Sequence, residues 1–217
     1  MKDTLVIFDL DGTILDTLDD LADTMNYVLV QFGYPERTQE EIRRFVGNGI
    51  EKLIERAVPE KLEYERKMQM LDCFKAYYGI HCADKTKAYD GIKNVIEQLR
   101  SMGYKTAVVS NKADFAVQEL CVQYFPGMFD AVVGERTGVK KKPAPDSVFE
   151  VMRSLEMDKN KTIYIGDSEV DLETAVNAGI PCIAVDWGFR DRNFLLERGA
   201  KRIVSKPEEL LAEVIGE

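Results

Sequence analysis

The sequence predicts an α/β fold, a doubly wound parallel sheet carrying a helical insertion, from three observations. The run Thr4-Leu5-Val6-Ile7-Phe8 reads as a buried strand, because strands covered on both faces are continuously apolar. Residues 16–80 show helical periodicity and no convincing strand. From residue 88 onward, short apolar runs alternate with helical ones, the pattern of βα units whose parallel sheet is covered on both sides.

The elements follow in order. After the first strand, Leu18, Leu21, Met25, Val28 and Leu29 recur at spacings of three and four residues and define a helix, which Gly33-Tyr34-Pro35 ends. Thr38 and Glu41 have the spacing of a capping box for a second helix. Gly47-Asn48-Gly49 breaks the chain again before a helix over Ile50–Ala57, and the stretch rich in Glu, Lys, Arg and Leu up to Tyr78 reads as the solvated side of amphipathic helices, about four in all. Beyond it the pattern gives a helix near 91–102, a strand at 105–110, a helix near 113–124, and strands at 129–133, 161–166 and 180–185, with a helix at 169–178 before the last. The first strand finds its partners only after the insertion, so the expected core comprises residues 1–15 and 81–217, with 16–80 as an excursion from it.

Composition excludes several functions. The 217 residues, 45% of them hydrophobic, suffice for one sizeable core with a small accessory unit. With 29 Lys and Arg against 38 Asp and Glu, the net charge of −9 argues against nucleic acid and leaves local basic clusters for a small anion. No apolar run reaches the ~18 residues of a membrane span, and the chain enters its first strand without a charged leader, so a cytoplasmic protein is expected. Cys73, Cys82, Cys121 and Cys182 are scattered and His81 is the sole histidine, which speaks against zinc and for reduced, structural thiols. His81 reads as a solvated or capping residue, so the chemistry must proceed without an imidazole.

Asp9 and Asp11 end the first strand two residues apart, and like charges that close need a cation or a proton to coexist. Such a pair suits a carboxylate nucleophile, Asp9, beside a proton carrier, Asp11. Ligands of open α/β sheets gather at the carboxyl ends of strands, and three further ends or following loops are polar here: Ser110-Asn111-Lys112, Lys140-Lys141-Lys142-Pro143, and Gly166-Asp167-Ser168-Glu169-Val170-Asp171.

Asp9-Leu10-Asp11-Gly12-Thr13 resembles the first motif of the haloacid dehalogenase-like hydrolases, in their phosphatase and phosphomutase branch, where the first Asp becomes an aspartyl-phosphate; the dehalogenases themselves lack the second Asp. The other three segments resemble the remaining motifs in chain order. The resemblance implies a Rossmann-like core with an inserted helical cap domain. Phosphoryl transfer needs donors and positive charge around three oxygens, and Ser110, Asn111 and Lys142 are the phosphate-binding candidates, with Lys142 also against Asp9 and with Lys140 and Lys141 turned to solvent. Mg2+, which takes oxygen ligands and keeps several waters, would be held by Asp9 and Asp167. To these the resemblance adds the main-chain carbonyl of Asp11 as a metal ligand and Asp171 as an indirect partner.

Phe45-Val46-Gly47-Asn48-Gly49 together with Ser110-Asn111-Lys112 is similar to the phosphoglycolate phosphatases, small-acid enzymes whose caps carry selectivity. Gly47, Asn48 and Gly49, opening a helix, could offer main-chain N–H groups to a substrate carboxylate. Asp90-Gly91 departs from the Pro-Gly frequent in relatives at the return to the core. The expected partner is a small phosphorylated metabolite, with no nucleic acid or membrane, for a monomer or homodimer. A β-phosphoglucomutase-like transferase remains an alternative, although Thr17-Leu18-Asp19-Asp20 carries no histidine where such enzymes usually have one. So does an inorganic pyrophosphatase; a non-catalytic binding module leaves the set Asp9, Asp11, Lys142 and Asp167 without a purpose. Trp187-Gly188 reads as packing or loop support.

Overall fold

The computed structural model describes residues 4–216. In chain order its elements are β1 (Leu5–Phe8), β2 (Leu15–Asp16), α1 (Leu18–Gln31), α2 (Gln39–Phe45), α3 (Ile50–Ala57), α4 (Tyr64–His81), β3 (Lys87–Ala88), α5 (Ile92–Ser101), β4 (Lys105–Ala113) and α6 (Asp114–Tyr124). There follow β5 (Ala131–Glu135), α7 (Asp146–Ser154), β6 (Thr162–Gly166), α8 (Glu169–Ala178), β7 (Cys182–Val185), α9 (Arg192–Glu197), β8 (Ile203–Val204) and α10 (Pro207–Ile215). The chain divides into two compact units, Met1–Leu15 with Ala88–Glu217, and Asp16–Lys87. The short strands β2 and β3, where the chain leaves and re-enters the first unit, pair with each other.

The first unit is built on a six-stranded sheet in the order β5-β4-β1-β6-β7-β8, parallel throughout. β1 lies inside it, with Leu5 opposite Lys105 and Thr162 and Phe8 opposite Val108 and Ile165. Its four residues are wholly buried, as the unbroken apolar run requires. On one side of the sheet Leu5, Ile7, Val109 and Tyr164 pack with Val148 and Val151 of α7 and Ala175 of α8. β5 starts at Ala131, two residues later than the apolar pattern suggests. Asp130 replaces a ladder partner with its side chain, accepting from the Thr106 N–H at 2.8 Å, while the Phe129 ring turns to Phe8 and Phe125. β4 continues past Ser110 to Ala113, and its pairing with β5 shifts register between Val109 and Ala113.

The second unit holds the four helices α1 to α4. The Thr38 capping box is complete: the Thr38 hydroxyl accepts from the Glu41 N–H at 3.2 Å, and Glu41 accepts from the Thr38 N–H at 2.8 Å. The unit ends at Lys87, seven residues beyond the boundary at 80 that helical periodicity alone suggests. The physical reason is Asp20, a buried acid of α1, whose carboxylate accepts from the Lys85 N–H at 3.0 Å, the Thr86 N–H at 2.8 Å and the Thr86 hydroxyl at 2.7 Å. Residues 81–87 are thereby tied to the helices. His81 closes α4 with its Nδ1 2.7 Å from Asp84 and its ring stacked on Tyr77. No described helix is long and apolar enough to cross a membrane.

Replacing Asp20 by Ala removes the acceptor of the Lys85 and Thr86 N–H groups, while the Thr86 hydroxyl keeps the Cys82 carbonyl at 3.0 Å, and the expected cost is about 1–3 kcal/mol of unfolding free energy in urea titrations. Thr38→Ala, which removes only a cap, should cost about 1 kcal/mol.

Candidate active site

The site forms at the carboxyl end of β1. The Asp9 N–H donates to the Ile165 carbonyl at 2.8 Å, extending the parallel ladder by one residue and fixing the Asp9 backbone. Its Oδ1 accepts from the Leu10 N–H at 2.7 Å and lies 2.9 Å from the Lys142 ammonium. The chain then turns back on itself, with the N–H groups of Ile14 and Leu15 both donating to the Leu10 carbonyl at 3.0 Å. Gly12 makes the turn with φ of +82°, and a Cβ there would stand 2.3 Å from Asp167 Oδ2. A side chain at Gly188 would meet the same oxygen at 2.4 Å. The Asp167 carboxylate therefore sits in a slot that only these two glycines leave open.

Asp167 follows β6 directly. Its Oδ2 accepts from the Phe189 N–H at 2.6 Å, and its Oδ1 lies 3.4 Å from the Thr13 hydroxyl. Asp171 lies in the first turn of α8, where its Oδ2 accepts from the N–H and the hydroxyl of Ser168, a reciprocal cap that sets the start of the helix. Its Oδ1 accepts from Lys142 at 2.8 Å, and the Tyr164 hydroxyl lies 3.1 Å from the same ammonium. Asn111 holds that lysine by its main chain: the Asn111 amide donates to the Lys142 carbonyl at 3.0 Å and accepts from the Lys142 N–H at 2.8 Å. Both polar ends of Asn111, expected to face phosphate, thus act on Lys142. Lys140 and Lys141 are both exposed, Lys141 lying 3.8 Å from Glu135.

Among the described residues, one group of acids could hold a metal ion: Asp9, Asp167 and Asp171, all buried, with one carboxylate oxygen of each within 4.8 Å of the others. The Asp11 carboxylate lies outside it and pairs with Lys112 at 2.8 Å. Burial first, then the Asp171 charge, pushes the Asp9 carboxyl up to about 7 against the pull of Lys142. Burial, Asp171 and Asp9 likewise raise Asp167 well above the carboxylate range. Burial disfavours the charged form of Lys142, but Asp171 and Asp9 outweigh it and hold the ammonium well above its usual range. Four carboxylates, Asp9, Asp11, Asp167 and Asp171, thus face two ammonium groups, Lys112 and Lys142. Without metal, burial holds Asp9 and Asp167 toward their protonated forms; with all four carboxyls ionised, two negative charges would be left uncompensated, which one divalent cation would balance, and the all-oxygen donor set suits a hard one.

Ser110 lies on β4, two residues past the Val108 that pairs with Phe8, and its hydroxyl accepts from the Lys112 N–H at 3.2 Å. Gly47, Asn48 and Gly49 belong to the second unit and are organised by it: Arg56 reaches back from α3 to the Asn48 side chain at 2.6 Å and to the Phe45 carbonyl at 2.7 Å. Gly49, with φ of +85°, caps α3. Two ion pairs have no local sequence signal: Asp11 with Lys112, and Glu169 with Arg190 at 3.0 Å. The Phe189 N–H is equally silent in sequence, whereas Trp187, noted for loop support, donates from Nε1 to the Thr13 carbonyl at 3.1 Å.

A family model for the haloacid dehalogenase-like hydrolases matches residues 6–185. The phosphoglycolate phosphatase of Mesorhizobium japonicum is 33% identical over 199 residues, covering 89% of this chain and 87% of its own length. That of Aquifex aeolicus is 31% identical over 186 residues, 85% of each chain. A solved structure from Lactobacillus delbrueckii subsp. bulgaricus, itself provisionally assigned as a phosphoglycolate phosphatase, is 39% identical, covers 100% of both chains and superimposes with a TM-score of 0.93. With its parallel core, its aspartates at strand ends and these relatives, the chain belongs to the haloacid dehalogenase-like hydrolases, as a phosphatase of the phosphoglycolate phosphatase-like branch.

Proposed function

We propose that the protein hydrolyses small phosphate monoesters through a phosphorylated Asp9, with Mg2+ as cofactor and 2-phosphoglycolate or a similar small phosphorylated acid as substrate. The observation that carries this reading is the buried Asp9 carboxylate at the end of β1, 2.9 Å from Lys142 and grouped with Asp167 and Asp171. Asp9 and Asp167 would hold the ion, with the Asp11 carbonyl that family resemblance adds. Asp171 has both oxygens already engaged by Lys142 and Ser168 and would act through them. When bound, the ion would neutralise the excess negative charge and polarise the phosphoryl oxygens.

The remaining work falls to side chains. Lys142 offsets repulsion between the incoming phosphate and Asp9, and the Ser110 hydroxyl donates to a phosphoryl oxygen. An Asp9 oxygen forms a bond to phosphorus as the ester P–O bond breaks, and Asp11 gives its proton to the departing alkoxide. Asp11 then takes a proton from water as the water oxygen bonds to phosphorus and the Asp9–phosphorus bond breaks, which frees inorganic phosphate. The helical unit serves as a cap that limits water during the first step, and the main-chain N–H groups at Gly47-Asn48-Gly49 receive the substrate carboxylate.

An assay of phosphate release across 2-phosphoglycolate, sugar phosphates, nucleotides and pyrophosphate should show the small acid turned over fastest and only with divalent metal. Asp9→Asn should lose at least about 10³-fold in kcat. Rapid release from pyrophosphate alone would replace the proposed substrate.

The raised carboxyl of Asp9 gives a second expectation. Its folded value of about 7 exceeds its ordinary 3.8, so the folded state binds the extra proton and the metal-free protein loses stability as pH rises through that interval. Metal requires the deprotonated form. Thermal melts should therefore show little stabilisation by Mg2+ at pH 5 and a clear rise in Tm at pH 8, absent in Asp167→Asn; an equal rise at both pH values would count against the assignment.

A further inference from the structure

We propose that Lys112 is a positioning residue that holds the Asp11 carboxyl in place for proton transfer. This inference rests on the reading of Asp11 as the proton carrier of Asp9 chemistry.

Three observations converge on the pair. First, the Lys112 ammonium lies 2.8 Å from Asp11 Oδ1 with a side chain only 4% exposed, so nearly all its charge is committed inside the protein. A pair whose ammonium is this deeply desolvated gains little net stability over an apolar replacement, and stability alone gives it no purpose. Second, the two partners differ in mounting. Asp11 stands in the turn after β1 and its side chain, 17% exposed, is more open to solvent than those of Asp9 and Asp171. Left to itself, an aspartate there would divide its time among rotamers.

Third, Lys112 is mounted on β4 where the register with β5 shifts, and its main chain is confined there. A Cβ on the neighbouring Gly134 would stand 2.7 Å from the Lys112 carbonyl oxygen and 2.4 Å from the Asp114 Cα, so β5 passes unusually close. The Gly134 N–H donates to Asp114 at 2.7 Å, and the Lys112 N–H donates to Ser110. A rigid strand thus presents an ammonium to a carboxyl on a turn. One lysine connects the proposed phosphate-binding Ser110 to the proposed proton carrier, residues that are 99 positions apart, through a 101-residue ion pair.

Proton transfer tolerates little misplacement, because donor and acceptor must come within hydrogen-bond reach at the moment the bond breaks. The test uses this. An alkyl phosphate such as 2-phosphoglycolate leaves as a strongly basic alkoxide that needs the proton, whereas p-nitrophenyl phosphate leaves as a stable anion that does not. Lys112→Met should lower kcat/KM, which reports only the steps through departure of the leaving group, about 10- to 100-fold for the alkyl ester and less than about 3-fold for the aryl ester. Lys112→Arg should recover most of the loss, and Lys112→Gln, which keeps a polar side chain, should reproduce the ester selectivity if the Met protein folds poorly. In an Asp11→Asn background, Lys112→Met should add almost nothing.

Equal losses on both esters, or losses that multiply with Asp11→Asn, would overturn the proposal for Lys112 while leaving Asp11 as proton carrier. If Asp11→Asn itself treats the two esters alike, the proton-carrier reading fails, and the role given to Lys112 fails with it.

Discussion

Lys142 stands between two buried carboxylates, 2.9 Å from Asp9 and 2.8 Å from Asp171, and the organisation of the catalytic unit depends on that arrangement. An ammonium taken out of water is costly, and only close opposite charges compensate it. With Asp167 added, the ionised group would carry more negative than positive charge, and protonation would balance it only by neutralising Asp9, the proposed nucleophile. A cation that binds the excess charge would leave Asp9 ionised and desolvated, the state in which a carboxylate is a competent nucleophile. Charge balance and reactivity are here the same problem.

The parallel sheet solves the geometric half of it. Neighbouring parallel strands end on the same edge, so Asp9 after β1, Ser110 in β4 and Asp167 after β6 come to one edge of the sheet although the chain between them is long. The backbone then does the fine placement. Gly12 and Gly188 leave room for the Asp167 carboxylate, the Phe189 N–H fixes one of its oxygens, and Trp187 braces the Thr13 carbonyl. Asn111 clasps the Lys142 main chain, so a lysine delivered by a loop is held with the precision of a strand residue.

Much of this is legible in the sequence, for local reasons. β1 is an unbroken apolar run because both of its faces are covered; Thr38 and Glu41 announce their helix by a reciprocal cap; α8 begins and ends at Glu169 and Ala178, where the polar start and Gly179 place it. What is illegible is non-local. The return of residues 81–87 to the helical unit depends on Asp20, far back in α1, and the late start of β5 depends on Asp130 substituting a carboxylate for a ladder partner. β8 is two residues long, too short for any periodicity, and is defined only by its neighbour β7. In the site, aspartates at strand ends are conspicuous as charges in apolar company. Asn111 shows nothing in sequence to say that its amide will grip a main chain 31 residues away, and Lys112 shows nothing to say that its partner is Asp11.

The most direct measurement is acid quenching during turnover of a phosphate ester labelled on phosphorus, followed by peptide mapping. A base-labile phosphoryl label is expected on the peptide that contains Asp9, formed within the first turnover and absent from Asp9→Asn. Full-rate release of phosphate with no label at Asp9 would contradict its role as nucleophile.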